Sequence, residues 1–202
     1  EGQIDTGNMM QELLKQASAN DILILNQQKV TAFNDNGTNA EVALGDFSFK
    51  TQKLLFATNG FASELTKGEV KPARAQVLIT HPIPNLHIKG TFHLDKGYYY
   101  FRNIGDRILF GGGRNLDFQG EATDEFGETQ LIQNHLEMLL KEVILPNQEI
   151  KIDHRWSGIM GLGASKNPIV EPVSNNVFCG VRLGGMGVAI GSLIGTELAD
   201  LI

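Results

Sequence analysis

Apolar residues recur along this chain with two different periods, and the changes from one to the other mark its elements. Met10, Leu13, Leu14 and Ala17 follow the i, i+3, i+4, i+7 spacing of an amphipathic helix over Thr6–Ala19, with Asp5 or Thr6 as its N-cap. Short apolar runs at 22–25, 29–33, 42–44, 47–49 and 53–57 predict strands, and Asn26-Gln27-Gln28 and Asn34-Asp35-Asn36-Gly37 mark turns among them. The run Leu54-Leu55-Phe56-Ala57 holds no polar residue, which predicts a strand buried on both faces, ending at Thr58-Asn59-Gly60.

Beyond a polar crossing that includes Lys67, Gly68, Glu69 and Lys71, the pattern changes. Segments 75–80, 88–94, 98–103 and 107–111 read as four strands of an antiparallel sheet, punctuated by Pro82, Pro84, Asp95-Lys96-Gly97 and Gly105-Asp106. Residues 128–145 form the clearest helical pattern, with Leu131, Ile132, Leu136, Leu139, Leu140, Val143 and Ile144 on one face and Pro146 as its stop. Residues 149–156 then alternate like a strand returning to the first region. A last apolar run, 177–181, feeds a glycine-rich turn and a terminal helix in which Gly187, Gly191 and Gly195 form a small-residue stripe suited to close approach to a sheet. The expected fold class is α+β, with residues 67–147 an inserted sheet-plus-helix domain and 1–66 with 148–202 a discontinuous domain around it.

With 202 residues and 42% hydrophobic content the chain can bury a real core. Seventeen basic against 23 acidic residues, a formal charge of -6 and no basic run argue against a nucleic-acid partner. The single Cys179 excludes an internal disulfide and a cysteine-based zinc site, and fits a reducing, cytoplasmic setting. No signal-peptide pattern is present, and the run 188–202 is interrupted by Glu197 and Asp200 and is short for a membrane span. His81, His87, His93, His135 and His154 show no ligand spacing, so no metal site is expected.

The chemistry concentrates at Cys179-Gly180-Val181-Arg182-Leu183-Gly184-Gly185-Met186-Gly187. A strand running through glycines straight into a helix bares backbone amides at the positive end of the helix dipole, which suits an anion or a polarised carbonyl; the same sequence also serves as a tight structural connection.

Taken together, these segments resemble the FAD-dependent amine and amino-acid oxidoreductases of the D-amino-acid oxidase, glycine oxidase and sarcosine oxidase type. The matching stretches, in the family's order, are Ile4-Asp5 with the first helix, Val30, 54–60, Pro72-Ala73-Arg74-Ala75-Gln76, Tyr98-Tyr99-Tyr100-Phe101-Arg102, 108–114, Trp156-Ser157-Gly158, Pro168, and the glycine turn with its helix. The family's opening strand-GxGxxG-helix segment is absent, so the chain looks like a C-terminal piece: the remainder of a Rossmann-like FAD-binding domain with an inserted substrate domain, inactive by itself.

The resemblance implies non-covalent FAD, held here weakly or not at all without that segment, and assigns Val30, Ala57, Thr58, Asn59 and Gly60 to its adenosine and pyrophosphate. It seats the flavin ring on Gly184, Gly185, Met186 and Gly187. Alternation sends Tyr98, Tyr100 and Arg102 to one face of the inserted sheet, where they would line a cavity for a small amine or amino-acid substrate. The family's carboxylate-pairing Arg is replaced in the stretch Ile159-Met160-Gly161-Leu162, which leaves Arg182 or Arg74 as candidate substitutes; the His and Lys of the family's turn are Met186 and Ala189. The implied reaction is oxidation of a C–N bond by hydride transfer to flavin, with no residue singled out as catalytic. Oxidation of a 2-hydroxy acid is the alternative within enzymes, and a binding or structural domain without flavin the alternative outside them. Self-association through an uncovered sheet edge is also expected.

Overall fold

Asp5 caps α1 (Thr6–Ala19): its Oδ1 accepts the Asn8 amide at 3.0 Å, one of the donors that a helix leaves unpaired at its start. In this computed structural model, which describes residues 2–202, the chain divides into two compact units. One comprises Asp5–Val70 with Gly161–Ile202, and the other Lys71–Met160 with the residues up to Ile4. Their boundaries at 70/71 and 160/161 stand beside the expected 66/67 and 147/148. Residues 148–160 stay with the inserted sheet because they supply its edge strand.

In the split unit, β1 (Ala32–Asp35), β2 (Ala40–Leu44) and β3 (Phe47–Thr51) form an antiparallel meander. Residues 22–25, expected as a strand, are irregular and exposed, since no neighbour offers them a ladder. β4 (Leu54–Phe56) follows and leads into a single 3₁₀ turn, Asn59–Phe61.

The inserted unit is a five-stranded sheet rather than a four-stranded one. It comprises β5 (Lys71–Thr80), β6 (Thr91–Leu94), β7 (Tyr99–Ile104), β8 (Arg107–Gly112) and β9 (Ile152–Leu162), in the order β6-β7-β8-β5-β9. α2 (Gln130–Leu139), continued by one wide turn over Leu140–Ile144, lies on one face. Ile132, Leu136, Leu140 and Ile144 from the helix pack with Leu78, Tyr99, Phe101, Ile108 and Phe110 from the strands into the main core. Leu131 and Val143, expected on the buried face, are exposed: Leu131 stands about 100° round the helix from Ile132, and the polar Gln133 takes a buried place instead.

The split unit closes with β10 (Ile169–Pro172), β11 (Val177–Val181) and α3 (Gly187–Ala199). β11 pairs antiparallel with β10 and parallel with β4, in the order β10-β11-β4. β4 is therefore an edge strand, and Leu55 is exposed where burial on both faces was expected. α3 rests on β11 through Ile194 and Leu198. The close approach occurs at Gly180 of the strand, where an added Cβ would fall 3.0 Å from Leu198 Cδ2. Gly191 and Gly195, expected to make that contact, face open space, because the helix is rotated so that its branched side chains meet the sheet. Ala62, Val70, Ile169, Cys179 and Val181 form this unit's core.

Candidate functional site

The glycine turn is shaped by its neighbours within the split unit. β11 ends at Val181, and Arg182, Gly184 and Gly185 then take left-handed backbone angles of 64°, 58° and 81°. The Gly184 amide donates to the Gly161 carbonyl at 3.0 Å, the Leu183 amide to Asn59 Oδ1 at 3.0 Å, and the Met186 amide to the Leu183 carbonyl at 2.8 Å. α3 starts directly after Met186 with no side chain capping it. The amides of its first turn, those of Gly187 and Val188 among them, thus face outward at the positive end of the dipole.

A Cβ on Gly184 would stand in open space in front of the turn, where it would hold off any flat group lying against the backbone. Gly184, Gly185 and Met186 are exposed and Gly187 is half-buried. The amides of Leu183, Gly184 and Met186 are paired within the unit, so the donors left for an anionic or polarised group are those at the uncapped start of α3, at the positive end of its dipole.

The residues expected at the adenosine end of FAD lie along the same unit. Val30 is exposed just before β1; Ala57 and Thr58 follow β4 exposed; Asn59 is half-buried in the 3₁₀ turn and Gly60 is buried. Of these, the structure brings Asn59 directly to the glycine turn. Arg182, expected at the substrate, is engaged inside the unit: its Nε donates to the Asn167 carbonyl at 2.8 Å, and Nη1 lies 3.6 Å from Glu69 Oε2.

Of the substrate candidates on the inserted sheet, Tyr100 and Arg102 keep the alternation read from the sequence, whereas Tyr98, expected on the same face, ends the turn before β7 in a helical conformation that alternation does not govern. Tyr99 and Phe101 point into the core, while Tyr100 and Arg102 lie on the face opposite α2, with Tyr98 exposed just before β7. Tyr100 lies across Gly111, where an added Cβ would fall 2.8 Å from both its Cζ and its hydroxyl, and also against Val77. Desolvation of the phenol raises its pKa above the ordinary value, so it remains a neutral hydrogen-bond donor. Arg102 Nη1 donates to the Ile4 carbonyl at 2.6 Å. Tyr98 packs edge-on against Phe118, and Arg114 lies over the Phe118 ring with its Cζ 4.7 Å from the centroid.

Arg74, the other candidate cation, is committed to Glu121 through Nη2 at 2.8 Å and Nε at 3.0 Å. Among the described residues no group of three or more His, Cys, Asp or Glu is arranged to hold a metal ion. No helix among them is long and apolar enough to cross a membrane. Sequence reasoning missed Glu69, Gly161, Gly163 and Asn167, which hold the turn from outside it. The Gly161-Leu162-Gly163 spacing was the available signal for two of them.

A family model described as DAO, FAD dependent oxidoreductase, matches residues 1–201. No curated protein sequence matches the chain. Similar solved structures include iminodiacetate oxidase from Chelativorans sp. BNC1, at 18% identity and a TM-score of 0.76, over 96% of this chain and 53% of that one. Glycine oxidase from Geobacillus kaustophilus gives 16% identity and 0.72, over 89% and 49%. L-alpha-glycerophosphate oxidase from Mycoplasma pneumoniae, with FAD bound, gives 19% and 0.73, over 94% and 53%. The chain spans about half the length of each.

Proposed function

Because the chain belongs to the FAD-dependent oxidoreductase family described as DAO, we propose that it forms part of a flavoenzyme oxidising the C–N bond of an amine or amino acid. The observation that carries the reading is the uncapped start of α3 just past Gly184, where an added Cβ would meet no other atom. FAD, when bound, accepts the hydride from the carbon next to the substrate nitrogen. The chain's own part is to orient and to stabilise charge. The amides at the start of α3 stabilise negative charge at the pyrimidine edge of the ring. Val30, Ala57, Thr58, Asn59 and Gly60 serve the adenosine and pyrophosphate, and Tyr98, Tyr100 and Arg102 line the substrate side of the inserted sheet. FAD is held without a covalent link, and the chain by itself is inactive.

The names of the similar oxidases support an amine or amino-acid substrate, while the glycerophosphate oxidase favours C–O oxidation as a second reading with the same hydride chemistry. Screening the complete FAD-loaded flavoenzyme of which this chain forms part against amines and 2-hydroxy acids separates the two. Bleaching of the flavin absorbance by amines is expected, and bleaching by hydroxy acids alone would sink the C–N reading. Gly185→Leu should abolish FAD uptake; unchanged flavin content contradicts the proposed seat. Self-association belongs to the same reading, since β4 is an edge strand and Leu13, Leu14, Leu23 and Leu25 are exposed. Sedimentation velocity that stays monomeric across a concentration series would exclude it.

A further inference from the structure

Two residues beside the candidate flavin seat hold left-handed backbone angles although neither is glycine. Asn59 has φ 44°, in the turn after β4, and Arg182 has φ 64°, just past β11. Asn tolerates such an angle better than most residues, whereas a long side chain such as that of Arg adopts it rarely and at a cost that its surroundings must offset. Here they do. Asn59 Oδ1 accepts the Leu183 amide at 3.0 Å, next in the chain to Arg182. Arg182 sends its stem across Gly163, where an added Cβ would fall 2.5 Å from Arg182 Cδ and 2.9 Å from the Glu69 carbonyl oxygen. Its Nε reaches the Asn167 carbonyl at 2.8 Å and its Nη1 stands 3.6 Å from Glu69 Oε2. The Arg182 side chain is only 13% exposed. On the other side of the turn, Gly184 donates to Gly161, where an added Cβ would fall 2.6 Å from Asn59 Oδ1.

We propose that Asn59 and Arg182 are positioning residues: together they staple the backbone of Arg182–Gly185 and so set the direction in which the start of α3 presents its amides to the cofactor. The proposal rests on the flavin reading above and extends it. Gly184 and Gly185 give the turn freedom rather than shape, because glycine is nearly as stable at either sign of φ. The shape has to come from outside, and the two side chains supply it from opposite flanks, one accepting from Leu183 and one donating to Asn167. Arginine suits the second task, since its planar guanidinium fixes the Nε direction while Nη1 faces Glu69; a lysine would bring a single point charge with no such fork. Donors held ready in advance stabilise developing charge without reorganising, which is what the staple provides.

Four substitutions separate staple from strain. Asn59→Ala removes the acceptor and Asn59→Asp keeps it. Arg182→Lys keeps the charge and loses the fork, and Arg182→Gly relieves the left-handed angle while losing every side-chain contact. Amide hydrogen exchange at Leu183 and Gly184, read without FAD, reports the staple. The FAD dissociation constant and the flavin midpoint potential of the loaded protein report positioning. Loss of one such hydrogen bond predicts about tenfold faster exchange and about tenfold weaker FAD binding, with a shifted potential, in Asn59→Ala and Arg182→Gly. Arg182→Lys should follow Arg182→Gly, and Asn59→Asp, which keeps the acceptor for the Leu183 amide, should keep the wild-type exchange rate. Faster exchange with unchanged FAD affinity and potential overturns the positioning role. Unchanged exchange overturns the staple itself, and an Arg182→Gly protein that binds FAD more tightly would show that strain, not stapling, governs the turn. A complete wild-type flavoenzyme, this chain included, that takes up no FAD sinks the flavin reading and the positioning role with it, while the exchange arm still decides whether the staple exists.

Discussion

Replacing Arg74 by Met should destabilise the inserted unit more than any surface change, and the size of the effect follows from what the guanidinium neutralises. Glu121 is fully buried. Its Oε1 accepts from Arg74 Nη2 at 2.8 Å and from Gln76 Nε2 at 3.0 Å, and its Oε2 accepts from Arg74 Nε at 3.0 Å. Gln76 extends the network: its Oε1 accepts the Thr129 amide at 3.0 Å and Gln133 Nε2 at 3.2 Å. The hydrogen bond to Glu121 raises the Arg74 pKa above its ordinary value, so the guanidinium stays charged throughout the working pH range. Arg74→Met keeps the stem but leaves a buried carboxylate with Gln76 as its remaining side-chain donor. Removing one member of a buried ion pair costs about 3–5 kcal/mol, far above the 0–1 kcal/mol of an exposed pair. In a chain of this size that lowers the melting temperature by about 6–20 °C. Glu121→Gln keeps the volume and one acceptor and should cost less, about 1–3 kcal/mol. The pair Arg74→Met with Glu121→Gln should cost less than those two single changes added together, because no charge is left stranded. Thermal unfolding followed by circular dichroism at fixed protein concentration reads all three. A shift below about 2 °C for Arg74→Met, under 1 kcal/mol at this size, or a double variant worse than the sum, would refute the reasoning.

Asp35 accepts hydrogen bonds from the Ser174 hydroxyl, the Asn176 side chain, the Asn176 amide and the Gly37 amide, which hold its carboxyl far below the usual range. A depressed folded pKa gives stability that is fully present above about pH 4 and is lost as pH falls below it, so acid titration of Asp35→Asn should show a flatter stability profile than wild type under pH 4. Gly111→Ala places a methyl 2.8 Å from the Tyr100 ring and should cost about 1–3 kcal/mol by urea unfolding, moving Tyr100 off the face opposite α2. Cys179 is buried, and desolvation raises its thiol pKa, so a thiol reagent should label it only when the chain unfolds; rapid native labelling would contradict its place in the core.

What could be read from the sequence divides by how local its cause is. The cap at Asp5, the strands of the inserted sheet and the uncapped helix after Met186 follow from residues within a few positions of one another, and alternation alone separates Tyr99 and Phe101 from Tyr100 and Arg102. Glu121 gave no signal, since a lone acid in a polar loop reads as solvated and only its pairing with Arg74, 47 positions away, buries it. Arg182 was read toward a substrate because it precedes the glycines; the carbonyl it reaches, that of Asn167, and the carboxylate beside it, that of Glu69, are set by tertiary structure. The strand expected at 22–25 failed for a related reason: an apolar run specifies a face to be covered, and a strand needs a ladder partner as well.

Apolar periodicity states which face a segment covers and leaves open what covers it, and the two units show both halves of that rule. In the inserted unit, α2 and the sheet each supply the other's cover, so the pattern and the burial agree at Ile132, Leu136, Phe101 and Phe110. In the split unit, α1 carries the same kind of stripe yet buries none of its residues, Leu23 is 80% exposed, and α3 is apolar on faces that the sheet does not touch, at Val188 and Leu193. A helix apolar all round is the signature of one enclosed on several sides. The glycine turn escapes this dependence. Its shape is set inside the split unit by Asn59, Gly161 and Arg182, so the turn proposed to seat the flavin is formed by contacts already present.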